Sequence, residues 1–357
     1  MKVNQLYHTW FGQVRQLWPQ ERVTRLRILS WLLVGIYESH SVHLARVAGK
    51  IPGLTRLVSR TRRLERFLDN PAVRVREWYA PIAQGWLRYL ADMVGELHLV
   101  VDGSKIGFGH QLLLIGLAYR RRVIPLVWTW VPYVKGHSSA HTQRALLAYL
   151  QRWLPVGVPV TLVGDSEFGS VEVLKQLDTW HWAYVLRQKS NHHVRLTAQE
   201  SWQDFGHLIQ QAGQSRWLER GWLTEQSAYQ VSLLAHWRVG EQEPWLLATN
   251  LPTRSDALRA YRRRMWVEET FGDLKKHGFD LESTHLRHFL HLSRLTLAVA
   301  LLYVWLLTVG TQAIKRGQRR WVDRRERRDL SLFQIGWRII ERQQTNGLVI
   351  SLSLCLV

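Results

Sequence analysis

Glu268 and Glu269 stand side by side in the stretch YRRRMWVEETFGDLKK, Tyr261 to Lys276, among five Arg and Lys residues of a chain whose formal net charge is +20. A carboxylate in so basic a setting suits either an ion pair or a cation-holding site. The stretch has no Pro, a single Gly and many strong helix formers, so it reads as one helix. At about 100° per residue from Tyr261, Arg264 falls at about 300°, Lys275 at about 320° and Glu268 at about 340°, on one stripe. Val267, Phe271 and Leu274 lie beside that stripe, which lets the helix bury an apolar edge and hold its polar groups at the rim. Glu269, at about 80°, points elsewhere. The alternative reading is a surface helix with i,i+4 charge pairs such as Arg264 with Glu268.

Two more carboxylates decide what the stripe is for. From Leu97 the chain reads as strands, LHLVVDGSKI, QLLLIGLAYR and RVIPLVWTWV, separated by Gly or Arg turns. A helix (SAHTQRALLAYLQRWL), a buried strand (VPVTLVGDSEF), a helix (GSVEVLKQLDTW) and a strand (HWAYVLRQ) follow, which predicts an α/β fold with a mixed sheet and helices on its faces. Asp102 falls at the end of the first strand and Asp165 just after the fourth. If those strands are adjacent and parallel, both acids meet at one C-terminal sheet edge, the usual crevice of such sheets, and Glu268 approaches from its helix. Three converging carboxylates repel one another unless cations bind them, and oxygen-only ligands suit Mg²⁺ or Mn²⁺. The acids then hold metal while the surrounding Arg and Lys hold phosphate. Taken singly, Asp102 also reads as a turn residue before Gly103, and Asp165 as a helix N-cap, with Glu167 a decoy two positions on.

At 357 residues the chain has room for two or three domains. Its excess of Lys and Arg repels itself in a compact state and implies a polyanionic partner, nucleic acid first and anionic membrane second. The single cysteine, Cys355, excludes an internal disulfide framework and a thiolate zinc cluster and fits a reducing compartment. The N-terminal stretch shows no apolar signal region. The apolar run Leu295 to Gly310 is shorter than the roughly 20 residues of a spanning helix and reads as a buried core helix, so no membrane is expected. Residues 1–95 read as helical. There the Arg56, Arg60, Arg62, Arg63 and Arg66 cluster follows a Pro-Gly break, as either a helix-turn-helix-like DNA reader or a solvated helix of a capping bundle. His285, His288 and His291 recur every third residue and read as a solvated or phosphate-facing run rather than a zinc site.

The spacing Tyr261, two residues, Arg264, three residues, Glu268, six residues, Lys275 resembles the Y-R-E-K signature of bacterial insertion-sequence transposases of the IS-four type. LVVDGSK and LVGDSEFGS look like that family's two aspartate motifs, and the resemblance covers residues 60–340. It implies a ribonuclease-H-like catalytic core whose acidic triad is Asp102, Asp165 and Glu268, with Tyr261, Arg264 and Lys275 on phosphates near the cleaved end. It also implies two Mg²⁺ ions, for which Mn²⁺ substitutes, held roughly 4 Å apart. The implied partners are terminal inverted repeats, target DNA and a second copy of the chain in a synaptic complex, in the bacterial cytoplasm at the nucleoid. The domain reading is a helical DNA-binding segment 1–95 carrying Arg56, Arg60 and Arg63, core residues 96–188, a β-rich insertion 189–252, the rest of the core 253–340 and a tail 341–357. Trp237 and Trp245 in the insertion are the candidates to stack on a flipped base. A nuclease of the same fold without strand transfer, or a non-catalytic DNA-binding protein, are the rival readings.

Overall fold

The apolar runs after Leu97 become strands because their residues are covered on both sides. In a computed structural model, residues 2–106, 109–132, 138–324, 326 and 328–356 are described. The strands β1 (Leu97–Ile106), β2 (His110–Tyr119), β3 (Arg122–Pro132), β4 (Val160–Gly164) and β5 (Ala183–Arg187) lie in the order β3-β2-β1-β4-β5. β1 and β4 run parallel, with Leu97 opposite Val160 and Val101 opposite Gly164, and β5 continues the parallel set. Near-continuous apolar sequence is what a parallel sheet buried on both faces requires. This is the mixed sheet of an α/β fold, with the first and fourth strands adjacent and parallel, as the sequence predicts.

The segment after β5 forms β6 (His193–Arg195), β7 (Gln203–Asp204), β8 (Ser215–Leu223), β9 (Tyr229–His236) and β10 (Trp245–Thr249). These strands extend the core sheet: β10 pairs antiparallel with β5, and the ten strands run β3-β2-β1-β4-β5-β10-β9-β8-β6-β7. β5 would otherwise present an open edge of unpaired backbone groups, which β10 covers.

The helices in chain order are α1 (Lys2–Leu17), α2 (Val23–Ser39), α3 (Leu44–Lys50), α4 (Leu57–Asp69), α5 (Val75–Val94), α6 (Ala140–Gln151), α7 (Val171–Thr179), α8 (Arg254–Tyr261), α9 (Trp266–Leu274), α10 (Phe289–Lys315) and α11 (Leu332–Thr345). The single helix expected over 261–276 is broken. α8 ends at Tyr261, a 3₁₀ turn covers Arg262–Met265, and α9 ends at Leu274. A 3₁₀ turn has about three residues per turn, so Tyr261 and Lys275 are not on the ideal wheel that relates them in sequence. The apolar edge of α9 survives: Val267, Phe271 and Leu274 are buried.

Two compact units divide the chain, one of residues 1–89, 106–110 and 271–357, the other of 90–105 and 111–270. In the first, α10 is the central helix, and its apolar stretch is 89% buried within the protein. It meets α11 where Gly310 and Gly336 face each other. Residues 341–357 are part of this unit's packing: Ile350, Leu354 and Leu356 are buried, and Trp86 Nε1 donates to the Leu354 carbonyl. The second unit contains the sheet.

Candidate active site

Asp102 and Asp165 are placed together by strand register. Val101 and Gly164 are the last paired residues of β1 and β4, so the two acids are the next residue on each of two adjacent parallel strands. The sequence reading put Asp102 at the end of its strand. In the structure β1 continues to Ile106 beyond its pairing with β4. Nor is Asp102-Gly103 a hairpin turn, since both residues lie inside β1 and Gly103 has no left-handed φ. Gly103 instead leaves room for the Gln111 side chain, whose Nε2 would lie 2.1 Å from an added Cβ. Asp165 is not a helix N-cap either. Ser170 caps α7, and Asp165 Oδ1 instead accepts from the Glu167 backbone N–H at 2.9 Å.

Glu167 is committed to bracing this loop. Its Oε2 accepts from Gln111 Nε2 at 2.9 Å, and its Oε1 accepts from the Ser138 backbone N–H at 2.6 Å and the Ser138 hydroxyl. Three hydrogen bonds thus tie both of its oxygens to the protein.

Glu268, in the first turn of α9, joins the aspartates through Arg264. The guanidinium of Arg264 pairs with Asp102 Oδ2 at 3.3 Å through Nη2 and with Glu268 Oε1 through Nη1. Glu269 turns away, about 100° further around the helix, to Arg122 at 3.5 Å. Burial dominates the electrostatics: it pushes the Asp102 carboxyl up to about 7, against the Arg264 charge and with Asp165 adding to the rise. Burial likewise raises Asp165, opposed by the Glu167 N–H and by Arg264. Burial works against the Arg264 charge, but Asp102 and the other nearby acids keep its pKa raised.

A titration consequence follows. Ionising Asp102 is harder in the folded chain than in the unfolded one, so its contribution to stability is present at low pH and is lost as pH rises through about 7. In the metal-free protein, Asp102→Asn should therefore gain thermal stability relative to wild type as pH goes from about 5 to about 8. Melting curves with a constant difference across that range would contradict the burial of an ionising Asp102.

Three carboxylates within electrostatic reach, two of them raised chiefly by burial, are a donor set that fits hard divalent cations. Among the described residues, however, no group of three or more acids, histidines or cysteines is spaced as a finished metal site. The chemistry fits, and what stands among the acids is the Arg264 guanidinium.

Neighbouring residues complete the crevice. Tyr261 is 2% exposed, with its phenol pushed up to about 12 by burial, and its ring lies 5.0 Å from that of Trp245. Trp237 instead donates its indole N–H to the Glu241 carbonyl at 2.9 Å. Arg187 escaped the sequence reading. Leu186 pairs with Gly164, so Arg187 follows on β5 as Asp165 follows on β4, and its charge acts on Asp165 and Tyr261. Glu243 holds it at 2.9 Å. Its only sequence signal was its position at the end of the last core strand.

Lys275 belongs to the other unit, one residue past the end of α9, where its ammonium pairs with Glu282 at 3.2 Å. In that same unit Arg56 is exposed at the N-cap of α4, and Arg60 donates to the Ile51 carbonyl, bracing the turn between α3 and α4. Arg63 is exposed and joins Arg22, Arg25, Arg27 and Arg66 around a cavity of about 560 Å³ between α2 and α4. Arg25 is paired with Glu21, but among the described residues no carboxylate pairs with Arg22, Arg63 or Arg66. His291 binds Asp69 at 2.9 Å and His288 precedes α10, with no third ligand gathered around them among the described residues.

Residues 131–305 match the family described as Transposase DDE domain. One similar solved structure is a cryo-EM structure of a piggyBac transposase synaptic complex with hairpin DNA, at 8% identity and a TM-score of 0.43, covering 97% of this chain and 77% of that one. No curated protein matches the chain.

Proposed function

We propose that this chain, a DDE transposase by the family its residues match, cuts DNA at the ends of an insertion sequence of the IS-four type and joins those ends to target DNA. Asp102, Asp165 and Glu268 are the catalytic acids of this reading. DDE transposases use divalent metal ions, and here two Mg²⁺, or Mn²⁺ in their place, would supply Lewis-acid charge to the phosphodiester when held by those three side chains. The observation that carries the reading is the β1–β4 register, which delivers a buried Asp102 and a half-buried Asp165 side by side, with Arg264 tying Glu268 to Asp102.

The remaining residues bind and orient. Arg264 offers a planar fork suited to phosphate, while Trp245, half-buried and held edge-on by the buried Tyr261, presents an aromatic ring on which a flipped base can stack. That geometry favours Trp245 over Trp237 for the role. Lys275 takes a phosphate if it exchanges Glu282 for it. The arginine cavity of the first unit gathers charge that lacks protein carboxylates, and a DNA backbone would neutralise it. Arg56 and Arg63 extend that surface, while Arg60 supports it from below by holding Ile51. The working assembly in this reading is a homodimer on two element ends.

Recombinant protein incubated with a duplex carrying the inverted repeats that flank its coding region should nick the repeat boundary only with a divalent cation. It should then join the new 3′-hydroxyl to a second duplex. Cleavage without any joined product would support the nuclease alternative instead. For the arginine cavity, Arg63→Glu combined with Arg66→Glu should weaken duplex binding and reduce the slope of log affinity against log salt by about two, one per lost phosphate contact. An unchanged slope would remove the cavity from the DNA path.

A further inference from the structure

Arg264 makes contacts that a phosphate-binding arginine does not need. Its side chain is 16% exposed and bridges Asp102, itself 7% exposed, to Glu268. The residue thus pairs with two of the three acids that the proposed function assigns to cation binding, and it does so from among them. Its third donor, Nε, is sealed from solvent and has no acceptor. That leaves the guanidinium with a donor still free to bond an incoming acceptor. The residue sits on the 3₁₀ turn between α8 and α9, the kind of short irregular stretch that serves as a hinge within helical structure.

We propose that Arg264 is a placeholder cation. In the DNA-free protein its guanidinium blocks the Asp102–Glu268 site, and a phosphate of bound DNA draws it off so that the acids can hold divalent metal.

This rests on the reading of Asp102, Asp165 and Glu268 as the metal-holding acids. A guanidinium and a divalent cation repel each other across the same carboxylates, so occupancy by one opposes the other. A phosphate accepts a bidentate pair from the same fork and gives Nε or a second Nη its acceptor. Because coupling is reciprocal, DNA must raise metal affinity by the factor by which metal raises DNA affinity. The device offsets part of the acids' mutual repulsion while no substrate is present, and it makes a competent site conditional on DNA.

The test is a titration of Mn²⁺ binding, read by the electron paramagnetic resonance signal of the free ion, on full-length protein with and without a short DNA duplex. In wild type the duplex should tighten Mn²⁺ binding by about 5- to 150-fold, the usual span of a coupling. Arg264→Gln should bind Mn²⁺ in the absence of DNA as tightly as wild type does in its presence, with the duplex adding less than about twofold. Arg264→Lys, which keeps the charge but cannot fork across two carboxylates, should fall between them and guards against misfolding of the Gln variant.

Folded Arg264→Gln and Arg264→Lys that bind Mn²⁺ no tighter than DNA-free wild type would overturn the placeholder role while leaving the acids' role intact. Mn²⁺ binding that persists unchanged in Asp102→Asn would instead defeat the assignment of the acids, and the placeholder role with it.

Discussion

Asp102→Asn, Asp165→Asn and Glu268→Gln are each expected to lower DNA strand cleavage by at least about a hundredfold to a thousandfold, the scale on which loss of one charge-stabilising group acts. Each change removes an anionic oxygen of the proposed cation site and keeps the side chain's size, so β1, β4 and α9 stay packed. Duplex binding should hold, because none of the three is a phosphate contact. Glu269→Gln is the internal control. It adjoins Glu268 in sequence but pairs with Arg122 at 3.5 Å, well exposed, so its loss should leave cleavage within error. Cleavage assays on the four variants decide the matter: equal losses at Glu268 and Glu269 would mean that the orientation of α9 is not what selects the third acid. Glu167→Gln belongs beside them as a probe of bracing. It should lower cleavage by disturbing the Asp165 loop while metal affinity changes less than in Asp165→Asn, since its oxygens are spent on Gln111 and Ser138.

Gly336→Ala is expected to destabilise the helical unit more than any exposed substitution. A Cβ at Gly336 would lie 1.9 Å from the Leu306 carbonyl oxygen and 3.1 Å from the Gly310 nitrogen, and one at Gly310 would lie 2.2 Å from the Leu332 carbonyl oxygen. These are backbone atoms, so no side-chain rotation relieves the overlap, and α10 and α11 must separate. Over-packing of this kind costs about 3 kcal/mol or more. For a unit of this size that is a fall in Tm of roughly 6 to 12 °C. Gly12→Ala, in α1 with nothing within 4 Å of its added Cβ, should keep or slightly raise Tm. Calorimetry on both variants would show it. A Gly336→Ala protein that melts with wild type would mean that α10 and α11 do not approach as closely as described.

The two experiments probe parts of the protein that differed in legibility. The acids were open to sequence reading because strands announce themselves by apolar runs of the right length, and a charged residue at the margin of such a run is conspicuous. Val101-Asp102 and Gly164-Asp165 each make that break. The Arg264–Glu268 pair was readable as an i,i+4 spacing, which the 3₁₀ turn before α9 does not abolish. By contrast, Asp102-Gly103 misled, because Asp-Gly favours a turn in isolation, whereas here β1 runs straight through it and the glycine leaves room for Gln111 of β2. Lys275 misled in the same way, since a helical wheel assumes a continuous helix and the real one ends at Leu274.

What the sequence by itself determined is whatever depends on local periodicity and charge. That covers the succession of strands and helices, the buried character of the Leu295–Gly310 run, the identity of three acids able to meet, and a polyanionic partner implied by the charge of +20. Only the tertiary structure decided which distant segments touch. It brought Arg264 to Asp102, 162 residues apart, and set Arg187 beside Asp165. It also attached β10 to β5, so that the insertion widens the core sheet, and packed the C-terminal residues with the first helices. The physical reason is the same in each case. A local pattern states which face of an element avoids water, but strand register, glycine-to-glycine helix contact and the balance of buried charge are properties of two surfaces together, and neither surface carries the other's shape in its own sequence.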